Sequence, residues 1–198
     1  MRRVVVLRIA TLRMVLLRAE VLRMIILRIR KEEWFYIMKV LIVSDTHGYN
    51  ETLWKVIKAE EPIDMMIHCG DIESDPQEIR SKVDCTLHMV AGNNDYDREL
   101  DSVRVFDIGR YRGMVVHGHR QHIYSDYSSL YYLGLENQVD YVFFGHIHIP
   151  VKRTEGPVTI VNPGSLTYPR QAGRKPTYII MNIENDKAPT FEIKYLNG

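Results

Sequence analysis

The sequence predicts an α/β protein made of two packed, mixed β-sheets, a β-sandwich flanked by helices. Three observations carry this. Residues 40–95 alternate short apolar runs with helix-compatible stretches, the rhythm of a largely parallel sheet covered on its faces. Residues 103–195 hold a series of short apolar runs separated by Gly, Pro and Asn/Asp turns, which suits antiparallel pairing. The chain has 198 residues, 45% of them apolar and 26% charged, enough to bury one proper core.

The elements run in order. Val40 to Val43 is a β-branched run of buried-strand length. Asn50 can cap a helix running to about Glu60, with Leu53, Val56 and Ile57 as its stripe and Pro62 just beyond it. Asp64 to His68 is a second strand. Pro76 to Lys82 is a short helix with Pro in its first turn, and Cys85 to Val90 is a third strand. Val103–Ile108 and Met114–His117 form a hairpin across a Gly109–Gly113 turn. Asp126 to about Asn137 is a helix, and Tyr141–Phe144 a buried strand. Val151–Arg153, Val158–Val161, Thr177–Ile183 and Phe191–Tyr195 complete the set.

The first 37 residues stand apart. They hold nine Lys or Arg against three Asp or Glu, leaving a body with 17 basic and 22 acidic residues. Leu-Arg recurs there with a period of five, from residues 7–8 to 27–28. That period lines one face of neither a helix nor a strand. A basic targeting segment, a partner-binding helix and an upstream extension from an early start assignment are the three readings. We favour the last: residues 1–37 are an added extension, helical or poorly packed, and the domain spans 38–198. The acidic body gives no charge-based reason for stable nucleic-acid binding, and no apolar run of eighteen residues suggests a membrane span. Cys69 and Cys85 form no CxxC pair, which fits a reducing, cytoplasmic setting.

The polar motifs share one position: each ends or follows a short apolar strand. Asp45 and His47 follow the first, Asp71 the second and Asn93 the third. His117 ends another, and His146 and His148 follow Tyr141–Phe144. Ligands gather outside the carboxyl ends of strands in open α/β sheets. Two carboxylates, one amide oxygen and four imidazoles exceed the usual four ligands of one zinc. They suit two divalent metal ions sharing a carboxylate. The thiolate-free donor set admits Mn²⁺, Ni²⁺, Fe, Co²⁺ or Zn²⁺. Each motif is weak alone: Asn93-Asn94-Asp95 reads equally as a turn, and His146-x-His148 would also serve a mononuclear zinc amidohydrolase. His68, His88 and His122 read as hydrogen-bonded structural residues. Tyr124, Tyr127, Tyr131 and Tyr132 read as a helix packing face, with base stacking as the alternative.

Together, Asp45-x-His47, Gly70-Asp71, Gly92-Asn93-x-Asp95, His117 and Gly145-His146-x-His148 resemble the ordered signature of the calcineurin-like metallophosphoesterases. The likeness is to their small YfcE-type bacterial and archaeal branch, which Asn162-Pro163-Gly164-Ser165 also resembles. It covers residues 38 to about 195. The resemblance implies a metallophosphoesterase-like αββα architecture and a dinuclear metal-dependent hydrolase of phosphate esters, foremost a phosphodiesterase of small substrates using a hydroxide between the metals. By position, Asp45, His47 and His148 would hold the first ion, Asn93, His117 and His146 the second, and Asp71 would bridge them. Manganese is the expected metal, and a homodimer is compatible with the branch. One departure stands out. Many members carry His after the Asn, where it helps the leaving group; here Asn94 cannot act as an acid. His119 is the nearest substitute, with a supporting or surface histidine as the alternative, so Asp71, Asn93, Asn94 and His119 form the expected catalytic set. Asp95 is expected to orient a neighbour. The other reading is a non-catalytic scaffold, because the small subunit of retromer resembles the same branch.

Overall fold

The computed structural model describes residues 37–96, 99–123 and 126–196. The expectation for the N-terminal extension therefore lies outside the described residues, apart from Ile37. The elements are β1 (Met38–Val43), α1 (Asn50–Glu60), β2 (Met65–His68), α2 (Pro76–Lys82), β3 (Thr86–Met89), β4 (Val103–Ile108) and β5 (Tyr111–Val116). They continue with α3 (Ser128–Glu136), β6 (Tyr141–Phe143), β7 (Pro150–Glu155), β8 (Val158–Pro163), β9 (Thr177–Ile183) and β10 (Thr190–Tyr195). Among the described residues no helix is long and apolar enough to cross a membrane.

Two five-stranded sheets result, in the orders β10-β9-β1-β2-β3 and β4-β5-β6-β8-β7. Both are mixed. β1, β2 and β3 run parallel, and β9 joins β1 antiparallel. In the second sheet β4–β5 and β7–β8 are antiparallel, while β5–β6 and β6–β8 are parallel. The second half is thus not one antiparallel sheet. A crossover through α3 forces β6 parallel to β5. β9 is buried along nearly all its length, so it takes a central place beside β1 in the first sheet.

Side-chain alternation along the strands builds three apolar layers. Between the sheets lie Val40, Ile42, Ile67, Val115, Phe143, Val161 and Met181. The opposite side chains of the first sheet, including Leu41, Val43 and Met66, meet Leu53, Val56 and Ile57 of α1 and Ile79 of α2. The outer face of the second sheet, with Met114, Val142 and Ile160, packs on Leu130 of α3. Tyr127 and Tyr131 join this last layer, so both are helix packing residues; Tyr124 is outside the described residues.

Three local expectations change. Gly113 is not a turn residue. It lies in β5 opposite Phe106, where an added Cβ would come within 3.0 Å of the Phe106 ring and 3.2 Å of Phe143. The hairpin turn shrinks to Gly109-Arg110. Asn50 does not cap α1: it is the first helical residue, and its Nδ2 donates instead to Ser74 Oγ (2.9 Å) and Glu78 Oε2 (3.1 Å). Asp126 precedes α3 and accepts from Ser128 N at 2.8 Å.

The two ends of β1 are tied down differently. At its carboxyl end the β1–β2 pairing runs on past the strands, through Asp45 N to Gly70 O (3.0 Å), His47 N to Asp71 O (3.0 Å) and Gly48 N to Ile72 O (2.8 Å). At the opposite end, the buried carboxylate of Glu60 accepts from Tyr178 OH (2.8 Å) and Lys194 Nζ (2.9 Å), with Lys39 Nζ 3.3 Å away.

Candidate metal centre

The turns leaving the strands are tight enough to need unusual backbone. Asp45, His47, Asp71, His146 and His148 all have positive φ, between 45° and 70°. Asp and His are among the few side chains that tolerate this region, and such strain gathers at functional sites. Local conformation thus narrows the residue type that each turn accepts.

Two donor groups form there. In the first, His148 Nε2 lies 3.0 Å from Asp45 Oδ1 and 3.4 Å from His47 Nε2, and His47 Nε2 is 3.9 Å from Asp45 Oδ1. In the second, His117 Nε2 lies 3.4 Å from Asp71 Oδ2 and 3.2 Å from Asn93 Oδ1. Asp45 belongs to both triads that have metal-ligand spacing around it, Asp45–His47–His148 and Asp45–Asp71–His117. Asp71 Oδ2 stands 3.9 Å from His47 Nε2 and so faces both groups.

The histidine tautomers are set by their far sides. His117 Nδ1 donates to Cys69 O (2.7 Å), His148 Nδ1 to Tyr168 O (2.7 Å) and His47 Nδ1 to Glu73 Oε1 (2.6 Å). Those partners can only accept, so each Nδ1 carries a proton, and a ring in its neutral form turns an Nε2 lone pair inward. Inside, lone pairs and carboxylate oxygens face one another. Asp45 Oδ1 is buried and receives no hydrogen bond among the described residues. Only a proton or a cation satisfies such a set, so the residues present fit divalent ions.

The protonation equilibria agree. Burial pushes the His117 pKa down, but the hydrogen bond with Asp71 and the charge of Asp45 outweigh it and leave the ring more basic than usual. Burial likewise pushes the Asp71 carboxyl up, but His117 and the Asn94 N–H hold it well below the carboxylate range. His146 falls to about 4, through burial and then the charge of His117.

Not every expected residue enters the triads. The His146 ring stands 5.2 Å from that of His117, and its backbone N–H donates to Asp45 Oδ2 at 3.2 Å. His119 is further out, with its ring 5.5 Å from His117 and 6.2 Å from His146; its Nδ1 is buried without a hydrogen-bond partner among the described residues. Burial, then the charges of His117 and Arg120, lower its pKa. Asn94 clamps Asp71, its N–H donating to Oδ1 (2.9 Å) and its Nδ2 to Oδ2 (2.8 Å). Asp95 accepts from the N–H groups of Ile72, Glu73 and Gly92 and ties the second and third turns together. Gly92 admits no side chain, since an added Cβ would sit 2.0 Å from Asp71 Oδ1.

Glu73 was missed by sequence reasoning. Its signal was present: it follows Asp71 by two residues, as His47 follows Asp45. The Tyr168 and Cys69 carbonyls left no signal, because any residue supplies one. Asn162 and Ser165 act as braces: Asn162 Nδ2 donates to Gly145 O (2.7 Å) and Ser165 Oγ to Asp45 O (2.9 Å). His68 is buried between Thr46 Oγ1 (3.1 Å) and Gly70 N (3.3 Å), and burial drops its pKa to about 4. His88 stacks on Phe106, with ring centroids 3.9 Å apart.

Nitrogen and oxygen donors gathered at the strand ends of an αββα sandwich define a metallophosphoesterase-fold type of protein with a candidate metal site. The chain belongs to the calcineurin-like phosphoesterase superfamily, whose domain model matches residues 38–186. It is 36% identical over 152 residues to the probable metallophosphoesterase YsnB of Bacillus subtilis, covering 76% of this chain and 88% of that one. Among solved structures it is similar to a conserved protein of Streptococcus pneumoniae described as a predicted phosphoesterase, with TM-score 0.72, 25% identity and coverage of 81% and 90%. The same fold recurs at 24% identity in an archaeal phosphodiesterase (TM-score 0.64, coverage 80% and 100%). It recurs again at 21% in the zinc complex of Vps29 from Entamoeba histolytica (TM-score 0.63, coverage 81% and 100%).

Proposed function

We propose that this protein is a phosphodiesterase of small substrates whose centre takes two divalent metal ions, Mn²⁺ foremost. The observation that carries the reading is the pair of donor groups around Asp45 and Asp71, in which the buried Asp45 Oδ1 receives no hydrogen bond among the described residues. Asp45, His47 and His148 would hold one ion, Asn93, His117 and His146 the other, with Asp71 shared. Bound ions supply Lewis acidity toward phosphoryl oxygens and let water ionise near neutral pH.

The rest falls to the chain. Cys69 O, Tyr168 O and Glu73 fix the imidazole tautomers. Asn94 donates to both oxygens of Asp71 but has no acidic proton to give a leaving oxygen. His119 is the nearest imidazole to His117 and His146 for that task. With Asn94 at this position, leaving groups that need no proton are favoured. Mn²⁺-loaded protein should therefore hydrolyse bis(p-nitrophenyl) phosphate faster than glycerol phosphate. Equal rates would overturn the diesterase preference. Folded protein inert toward both with Mn²⁺, Ni²⁺, Fe²⁺, Co²⁺ and Zn²⁺ would favour a scaffold, the reading that the likeness to Vps29 keeps in play.

A further inference from the structure

Two cavities flank the candidate centre, and they differ in charge. One, of about 570 Å³, is lined by Thr167, Tyr168, Pro169, Arg170 and Arg174. The other, of about 350 Å³, is lined by Glu73, Ser74, Asn94, Asp95, Tyr96 and Leu100. Each shares residues with the centre. Tyr168 holds His148 through its carbonyl, and its ring lies 5.1 Å from that of His47. Glu73 and Asn94 hold His47 and Asp71 from the other side. Among the described residues the first lining carries two cations and no carboxylate, and the second two carboxylates and no cation.

The chain fixes the position of the cationic cavity. The segment between β8 and β9 is tied to the ligand turns by Arg170 N to His148 O (3.0 Å), Thr167 Oγ1 to Thr46 O (2.8 Å) and Ser165 Oγ to Asp45 O (2.9 Å). Arg174 sits in a turn closed by its N–H on Gln171 O, at 3.0 Å. Among the described residues neither guanidinium has a carboxylate partner. Two unpaired guanidinium groups on one cavity repel each other, and a phosphate relieves this while matching their planar donor forks. The acidic cavity repels the same group, so the charge difference orients a substrate across the centre.

We propose that the substrate is a phosphodiester bearing a second phosphate, which Arg170 and Arg174 bind while the scissile phosphate lies at the centre. This rests on the phosphodiesterase reading. The uncharged arm of the diester then points toward the acidic cavity. The rings of Tyr168 and Tyr49, 49% and 58% exposed and 6.1 Å apart edge-on, stand beside the cationic side. They offer apolar surface to whatever joins the two phosphates.

Calorimetric titration with thymidine 3′,5′-bisphosphate and thymidine 5′-monophosphate tests the binding. The bisphosphate should bind at least about tenfold more tightly, the range of hydrogen bonds to charged groups. That ratio should fall toward one in the double variant Arg170→Gln/Arg174→Gln. The single variant Arg174→Gln, on an exposed turn, repeats the measurement should the double variant fold poorly. A ratio near one in the unaltered protein, or a ratio that survives substitution, overturns the proposal. The p-nitrophenyl esters of the same two nucleotides separate the two claims. Hydrolysis of both with equal KM defeats the phosphate site alone. Hydrolysis of neither, with the arginine-dependent binding ratio intact, defeats the phosphodiesterase reading and leaves the phosphate site standing.

Discussion

The two ends of β1 bury carboxylates in opposite ways. Glu60 at one end and Asp45 at the other are 5% and 0% exposed. Glu60 finds its counter-charges within the chain, in Lys39 and Lys194, with Tyr178 OH completing the shell. Among the described residues Asp45 Oδ1 receives no hydrogen bond and faces the Nε2 atoms of His148 and His47. Burying a carboxylate costs free energy unless it is paired and hydrogen-bonded. One end therefore ties α1 to β1, β9 and β10. The other keeps its electrostatic deficit for a ligand.

The largest test of that contrast is Asp45→Asn. We expect metal-dependent hydrolysis to fall by more than about a hundredfold, beyond the usual effect of losing a group that merely supports a ligand. The metal-free melting temperature should stay level or rise, because an amide can donate to His148 Nε2. Rates and scanning calorimetry check both halves, and a large drop in metal-free stability would break the comparison. Next comes Asn94→Ala, which removes the side-chain hydrogen bond to Asp71 and frees the turn that supplies the backbone one. Metal affinity or activity should fall about 10- to 100-fold, as titration calorimetry would read. Smaller is Glu60→Gln, expected to cost about 1–3 kcal/mol in urea unfolding with metal affinity unchanged.

The smallest effect is the pH dependence of that last cost. Burial pushes the Glu60 carboxyl up, but the bonds with Lys194, Tyr178 and Lys39 outweigh it and hold the pKa below its ordinary 4.5. A folded pKa below the unfolded one means stability that is present above about pH 4.5 and lost as pH falls through the folded value. The stability gap between the unaltered protein and Glu60→Gln should narrow below that pH.

The site was more legible than the pairing that builds it. Asp45, His47, Asp71, Asn93, His117, His146 and His148 stood out because each interrupts or ends an apolar run with a side chain that packing does not need, and the fold brings all of them but His146 within ligand-like distances of one another. β9 was visible as a strand, yet not its place beside β1, since pairing across more than a hundred residues leaves no local trace. Gly113 looked like a turn because glycine usually punctuates; its reason is the Phe106 ring opposite it. Asn50 looked like a cap by residue type, but Ser74 and Glu78 compete for its amide.

The backbone bonds from Asp45, His47 and Gly48 to the turn after β2 make two ligand loops into one mechanical part. Loops commonly open on their own, at little free-energy cost. Here the first turn cannot swing away from the second without unzipping a continuation of the central sheet. Opening the first donor group therefore means parting β1 from β2 at their carboxyl ends, which makes its shape a property of the sheet rather than of either loop.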